Sequence, residues 1–435
     1  MPLRALLLIA LVLASAPAAG RQTPATAGVG AESAPPFERV SATPSGDEPD
    51  DTSWDAAISA DGRFVAFASA ASNITRRGAA GFRVFLLDRR TQSVRVVSRH
   101  ADGREGLGAL PALSADGRFV AFCTGDALVP GDSIPQLPLH DNYALEQPDD
   151  VYLYDAAKHE TTAVSVTRTR RPANYHSCAP SISADGRFVA FESESPRIVP
   201  GDTNGKADVF VYDRVKRTAV RASLSSSGVQ GDGPSVSPAI SGDGRFVAFC
   251  SGSSALVPGG PVHGWDLYVR DLVAGRTTRA GPGSCFERPA LSRDGRLIAY
   301  LTTAPQFEPG VEAWAQPVLV DRVTGRLRLA APSPLPSHGH HVSISSDGRL
   351  VAFAADAPQV EPARPGGITD VFVFDTATGS ISRTSTYPGA SLAFADSERP
   401  ALSGDGRWIA FDSTAQLLPG THEPHRQVVY LRRLR

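Results

Sequence analysis

One nine-residue pattern occurs seven times in this chain of 435 residues. It is Ser-x-Asp-Gly-Arg, then an aromatic residue or Leu, then Val or Ile, then Ala, then Phe or Tyr. It reads SADGRFVAF from Ser59, Ser114 and Ser183, and SGDGRFVAF from Ser241. The later copies are SRDGRLIAY from Ser292, SSDGRLVAF from Ser345 and SGDGRWIAF from Ser403. Its aspartates are spaced by 55, 69, 58, 51, 53 and 58 residues. A repeat at such a period means that one small unit is built again and again and buries its apolar faces against its neighbours. A length that would otherwise suggest two or three domains of ~100–200 residues therefore reads as one array.

Each unit reads as four strands. A short apolar piece such as Pro180–Ser183 leads into the Ala-Asp-Gly-Arg turn, where Asp bonds the local backbone and Gly supplies a positive φ. The second strand follows, as in Phe188–Ser193. The third is DVFVYD at Asp208–Asp213, matched at Asp150–Asp155, Asp266–Asp271 and Asp370–Asp375. The fourth is rich in Thr, Arg and Val, as in Arg217–Ser223. In the second strand Phe188 and Ala190 face one way while Val189 and Phe191 face the other. Both faces are apolar, so the strand must be covered on both sides. Blades stacked around an axis provide that cover.

The ends of the array agree. The last unit stops after its third strand, near Gln427–Leu431, and FERVSA at Phe37–Ala42 stands before the first unit as an orphan fourth strand. Pairing the two closes a ring and leaves no sheet edge exposed. The expectation is an all-β, seven-bladed β-propeller of four-stranded blades over residues 37–435, closed by an N-terminal strand that completes the last blade.

The ISADGRFVAF and DVFVYD repeats resemble the WD-like propeller repeats of the TolB family. The resemblance spans nearly all of the chain after its first residues and implies the propeller fold. Function is not implied with it, because one propeller architecture serves scaffolds, sugar-acting enzymes and peptidase lids. The chain departs from that family in having seven repeats rather than six, and in showing no separate N-terminal α/β domain.

The first twenty residues carry Arg4, an apolar run from Ala5 to Ala14 and small residues at Ala16 and Ala18. This is the arrangement of a secretory signal peptide, cleaved within 18–20. Its apolar core is shorter than the ~20 residues that a membrane span needs. Residues 21–36 read as a flexible linker, and nothing later resembles a membrane span. The mature protein is expected in the periplasm or secreted. With 43 basic and 45 acidic residues the charges nearly cancel, which argues against nucleic-acid binding.

Export makes disulfides plausible for the four cysteines. Cys123 and Cys250 occupy the same place, seven residues after the repeat Asp, where the second strand ends. Cys178 and Cys285 stand before the first strands of blades three and five. Pairing Cys123 with Cys178, and Cys250 with Cys285, repeats one geometry twice.

Catalytic motifs are not found. No Ser lies in Gly-x-Ser-x-Gly. Gly201–Lys206 is one residue short of a phosphate-binding loop and has Ala207 where Ser or Thr belongs. His422-Glu423-Pro424-His425 is one residue short of a zinc-protease helix, and its Pro forbids that helix. Two metal constellations remain. Asp202, Asn204 and Asp208 set oxygen ligands at alternate positions, as in a calcium loop. That pattern lacks the terminal Glu, and a repeated Asp at this place also serves to bond backbone. His338, His340 and His341, in the loop leading into blade six, and His422 and His425, in blade seven, offer imidazoles to a divalent transition metal. The seven turn arginines are read as structural, each pairing with the Asp that ends a third strand.

Blade two carries an insertion, Ala127–Asp149, long enough to fold over the mouth of the axis. Leu137, Leu139, His140 and Tyr143 make it a candidate partner-binding loop. The leading functional reading is an exported, non-catalytic binding scaffold, monomeric, requiring no cofactor, that engages an envelope or extracellular protein. The alternative is a metal-assisted carbohydrate-active enzyme of lyase type that works on the loop face.

Overall fold

The Ser-x-Asp-Gly-Arg turn is what organises each blade. In the first blade the Ser59 hydroxyl donates to Asp61 at 2.7 Å and accepts from the Phe64 amide at 2.9 Å. Asp61 in turn accepts from the Arg63 amide at 2.9 Å. The same bonds recur in all seven blades, from Ser114–Asp116 to Ser403–Asp405. The glycine of the turn takes φ between 64° and 74° throughout. At Gly117 this freedom is needed twice over, because a Cβ there would also lie 2.2 Å from the Phe64 ring of the preceding blade. Gly62 receives Trp408 of the last blade in the same way, at 2.3 Å.

The computed structural model describes residues 37–75, 81–132, 149–173, 175–261, 264–283, 287–303, 315–330, 340–356, 368–386, 395–418 and 426–434, with backbone alone at His340. All strands among them fall into seven antiparallel sheets of four. Blade three is typical, running Ser177–Ile182, Phe188–Ser193, Asp208–Asp213 and Thr218–Arg221 in spatial order. The seventh sheet holds Ser397–Leu402, Trp408–Ser413 and Val428–Arg433, and its fourth strand is Phe37–Arg39, paired antiparallel with Val428–Arg433. Phe37 is buried there against Phe411 and Tyr430, with ring centroids 6.0 and 6.5 Å away. The fold is an all-β, seven-bladed propeller closed by its N-terminal strand. The proposed signal peptide and linker, residues 1–36, lie outside the described residues.

Blades pack through both faces of their second and third strands. Val189, Phe191, Val209 and Phe210 are wholly buried, and each such side chain stabilises by roughly 1.5–3 kcal/mol. A belt of backbone hydrogen bonds also runs around the axis, from one turn to the next. Ala60 N donates to Ala115 O, Ala115 N to Ala184 O, and so on to Asp405 N and Ala60 O, at 2.8–3.0 Å. The first strand of every blade therefore lines the axis.

The turn arginines pair within their own blades. Six of them meet the Asp that ends the third strand, as Arg187 meets Asp213 at 2.8 Å. Arg407 differs because Arg433 stands where the other third strands end in Asp, and it turns to Asp405 at 3.8 Å. The Asp that opens the third strand differs from expectation in its partner. Asp150, Asp208 and Asp370 accept from the hydroxyls of Ser165, Ser223 and Ser385, which accept the next backbone amide. Asp266, in blade four, accepts an amide directly, from Gly283 at 2.9 Å. Among the described residues there is no helix long and apolar enough to cross a membrane.

Candidate functional site

With the repeated charges engaged inside the blades, the departures from the repeat stand out. Six residues before each repeat Asp, in the first strand or, in blade five, just ahead of it, one residue lines the axial cavity. In blades one to four these are Asp55, Leu110, Ala179 and Ser237; in blades five to seven they are Arg288, His341 and Arg399. At six of the seven the strand bulges and the residue takes a positive φ, from 48° to 54°, Arg288 being the exception. The bulge turns a side chain out of the sheet register and toward the channel. These seven residues, with Glu287 and neighbouring Pro and Val side chains, surround an axial cavity of about 270 Å³.

The cavity is two-sided. Leu110, Pro111, Ala179 and Ser237 make one arc without ionisable groups, and Arg288, His341, Arg399 and Asp55 make an ionisable one. Arg399 contacts Asp55 at 3.1 Å, Asp412 at 3.1 Å and Glu398 at 3.6 Å. His341 Nδ1 lies 3.2 Å from Glu287. Burial holds the His341 imidazole below its ordinary pKa, against the opposing pull of Glu287 and Asp55, so the ring is neutral at pH 7. Asp412 is wholly buried and its Oδ1 has no hydrogen-bond partner. Burial pushes its carboxyl well above the usual range, with Asp55 and Glu398 adding to the shift and Arg399 opposing it. Asp412 stands at the position of Cys123 and Cys250 in the repeat, as does Glu192, which accepts the Ser237 amide at 2.6 Å from the next blade.

Among the described residues, His341 is the sequence-predicted residue that lines this cavity. It and His340 lie in the first strand of blade six, His340–Ile344, and not in the loop before it. His338, His422 and His425 lie outside the described residues, as do Leu137, Leu139, His140 and Tyr143. Asp202, Asn204 and Asp208 do come together, but around a guanidinium. Arg221 lies 3.0 Å from Asp202 and 3.4 Å from Asp208, while Asn204 donates to Asp208 at 3.0 Å. Burial raises both carboxyls, with Arg221 pulling the other way. Arg221 supplies a positive charge among these oxygens.

Cys123 and Cys178 form a disulfide that joins blades two and three. Cys178 lies inside the first strand of blade three, not ahead of it. Cys250 is also disulfide-bonded, and its expected partner, Cys285, lies outside the described residues. Asp149 lies near the Cys123–Cys178 pair with metal-ligand spacing, within 4.8 Å. With the sulfurs bonded to each other, that group has no thiolate to offer a metal. Sequence reasoning missed Asp55, Glu287, Arg288, Arg399 and Asp412. The signal was present in the columns six and seven residues before the repeat Asp and seven after it, where charged residues interrupt mostly small or apolar ones.

No family model matches the chain, and no curated protein sequence does. Solved structures match its fold. An oligogalacturonate lyase in complex with manganese is 15% identical, with a TM-score of 0.54 over 92% of this chain and 97% of that one. The oligogalacturonate lyase of Vibrio parahaemolyticus gives the same TM-score and coverage at 11% identity. TolB-like propellers are also among the similar structures. TolB from Acinetobacter baumannii is 17% identical at a TM-score of 0.40, over 64% of this chain and only about half of its own length, 54%.

Proposed function

We propose that the protein is an exported, non-catalytic propeller that binds its ligand or partner at the axial cavity, in the periplasm or outside the cell. One observation carries this reading. The charges common to the repeats are used up within the blades, and unmatched chemistry is concentrated where seven single departures from the repeat converge on the axis. A rigid ring that presents one different side chain per blade is a scaffold for recognition. The Cys123–Cys178 disulfide supports an oxidising compartment. The partner proposed is an envelope or extracellular component met by a monomer.

A second reading is a metal-assisted carbohydrate lyase. Similarity in fold to two oligogalacturonate lyases, one with manganese, favours it, together with a neutral His341 beside two arginines. Elemental analysis of the chain purified without chelator, run beside an oligogalacturonate incubation followed by ultraviolet absorbance of an unsaturated product, separates the two. The binding reading expects neither bound transition metal nor product. One metal per chain, lost in His341→Gln, together with product formation, would replace it with the lyase.

A further inference from the structure

Two of the charges that line the axial cavity match each other, Asp55 and Arg399, at 3.1 Å. Glu287 lies 3.2 Å from the neutral His341 ring. Arg288 is different. No carboxylate among the described residues lies within ion-pair distance of it, and its nearest charges, Asp55, Glu192 and Glu287, act on it only at longer range. Burial depresses its pKa, as for any cation drawn away from water. Arg288 is half-buried, and the group that best matches a guanidinium without a carboxylate partner is a planar oxyanion bound through two parallel N–H bonds.

The opposite wall narrows the class further. Leu110 and Pro111 lie three blades away in a ring of seven, and so across the axis, with Ala179 beside them. Hydroxyl groups pressed on that wall would lose water without finding partners. We infer that the axial cavity is a receptor for a small carboxylate on an apolar body, with the carboxylate on Arg288 and the body against Leu110, Pro111 and Ala179. This rests on the reading that the axial cavity is the binding site, and it gives that site its ligand class.

The test is calorimetric titration of the mature chain with three probes: 4-methylpentanoate, its neutral amide 4-methylpentanamide, and galacturonate. The acid is expected to bind about tenfold or more tightly than either of the others, the scale of one charge-assisted pair. Arg288→Gln should erase the preference for acid over amide and Arg288→Lys should keep part of it. Because Arg288 has no ion pair to lose, both variants should melt no lower than the parent. Equal binding of acid and amide, unchanged acid affinity in Arg288→Gln, tighter binding of galacturonate, or no saturable heat with the acid would each overturn the proposal. Ala179→Phe, which fills the opposite wall, separates the two levels. If it leaves acid binding intact, the cavity is not the site. If it abolishes binding while Arg288→Gln does not, the cavity stands and the carboxylate assignment falls.

Discussion

Arg399 of the last blade and Asp55 of the first meet at 3.1 Å across the seam where the ring closes. The same guanidinium holds Asp412 and Glu398 in its own blade, so one side chain joins seam and cavity. Arg399→Met should therefore leave the carboxylates of Asp55 and Glu398, with the protonated Asp412, around a partly buried gap. The expected loss is about 3 kcal/mol, the lower end for a broken buried pair, since Arg399 keeps some contact with solvent. Denaturant unfolding measures it, and a loss under about 0.5 kcal/mol would show that the seam does not depend on this pair.

Asp412→Asn should act in the other direction. A carboxyl whose pKa is raised in the folded state keeps its proton while the unfolded chain releases it. Stability is then lost as pH rises from about 4, the unfolded value, toward the folded one. Asn keeps the shape without the titration. The variant should match the parent near pH 4 and exceed it near pH 7, read as a difference in melting temperature. Lower stability at pH 7 would mean that an ionised Asp412 is needed by Arg399.

The six turn arginines set the acid limit. They hold their aspartates low, Asp271 and Asp321 at about 2, chiefly through the hydrogen bonds from Arg245 and Arg296. The unfolded chain takes up these protons first, so stability present above about pH 4 is lost as pH falls toward 2. These pairs are partly exposed and the effect is screened, so high salt should shrink it. Acid titration of unfolding at two ionic strengths checks both parts, and an acid limb indifferent to salt would point to buried carboxyls instead.

Removing the Cys123–Cys178 crosslink opens a loop of 55 residues. The chain-entropy relation sets the cost of Cys123→Ser with Cys178→Ser at about 4 kcal/mol. Equilibrium unfolding of the double variant against the oxidised parent measures it. A change below about 1 kcal/mol would mean that the blade interface alone holds these strands.

Phe37→Ala tests the closure itself. The ring is buried against Phe411 and Tyr430, and truncating such a residue costs about 3–5 kcal/mol. Hydrogen exchange should show the extra opening concentrated in Val428–Arg433, its pairing strand. Uniform exchange across all blades would show that the ring opens as a whole.

What the sequence alone determined is whatever depends on short range and on repetition. The Ser59–Asp61–Phe64 bonds span five residues, and seven copies of the same turn and strand pattern leave room for one architecture. The closure by Phe37 was legible as well, because an unpaired strand at one end matched a missing strand at the other. The surroundings of the Asp202–Asp208 loop were not legible for a physical reason: its counter-charge, Arg221, comes from the fourth strand and enters only when the blade pairs. The axial cavity was out of reach for a stronger reason of the same kind. Asp55, Arg288, His341 and Arg399 are each a single substitution in a long repeat, and 344 positions separate the first from the last. Only the closing of the ring puts Arg399 beside Asp55, and the bulges in the first strands turn Asp55, His341 and Arg399 to the axis.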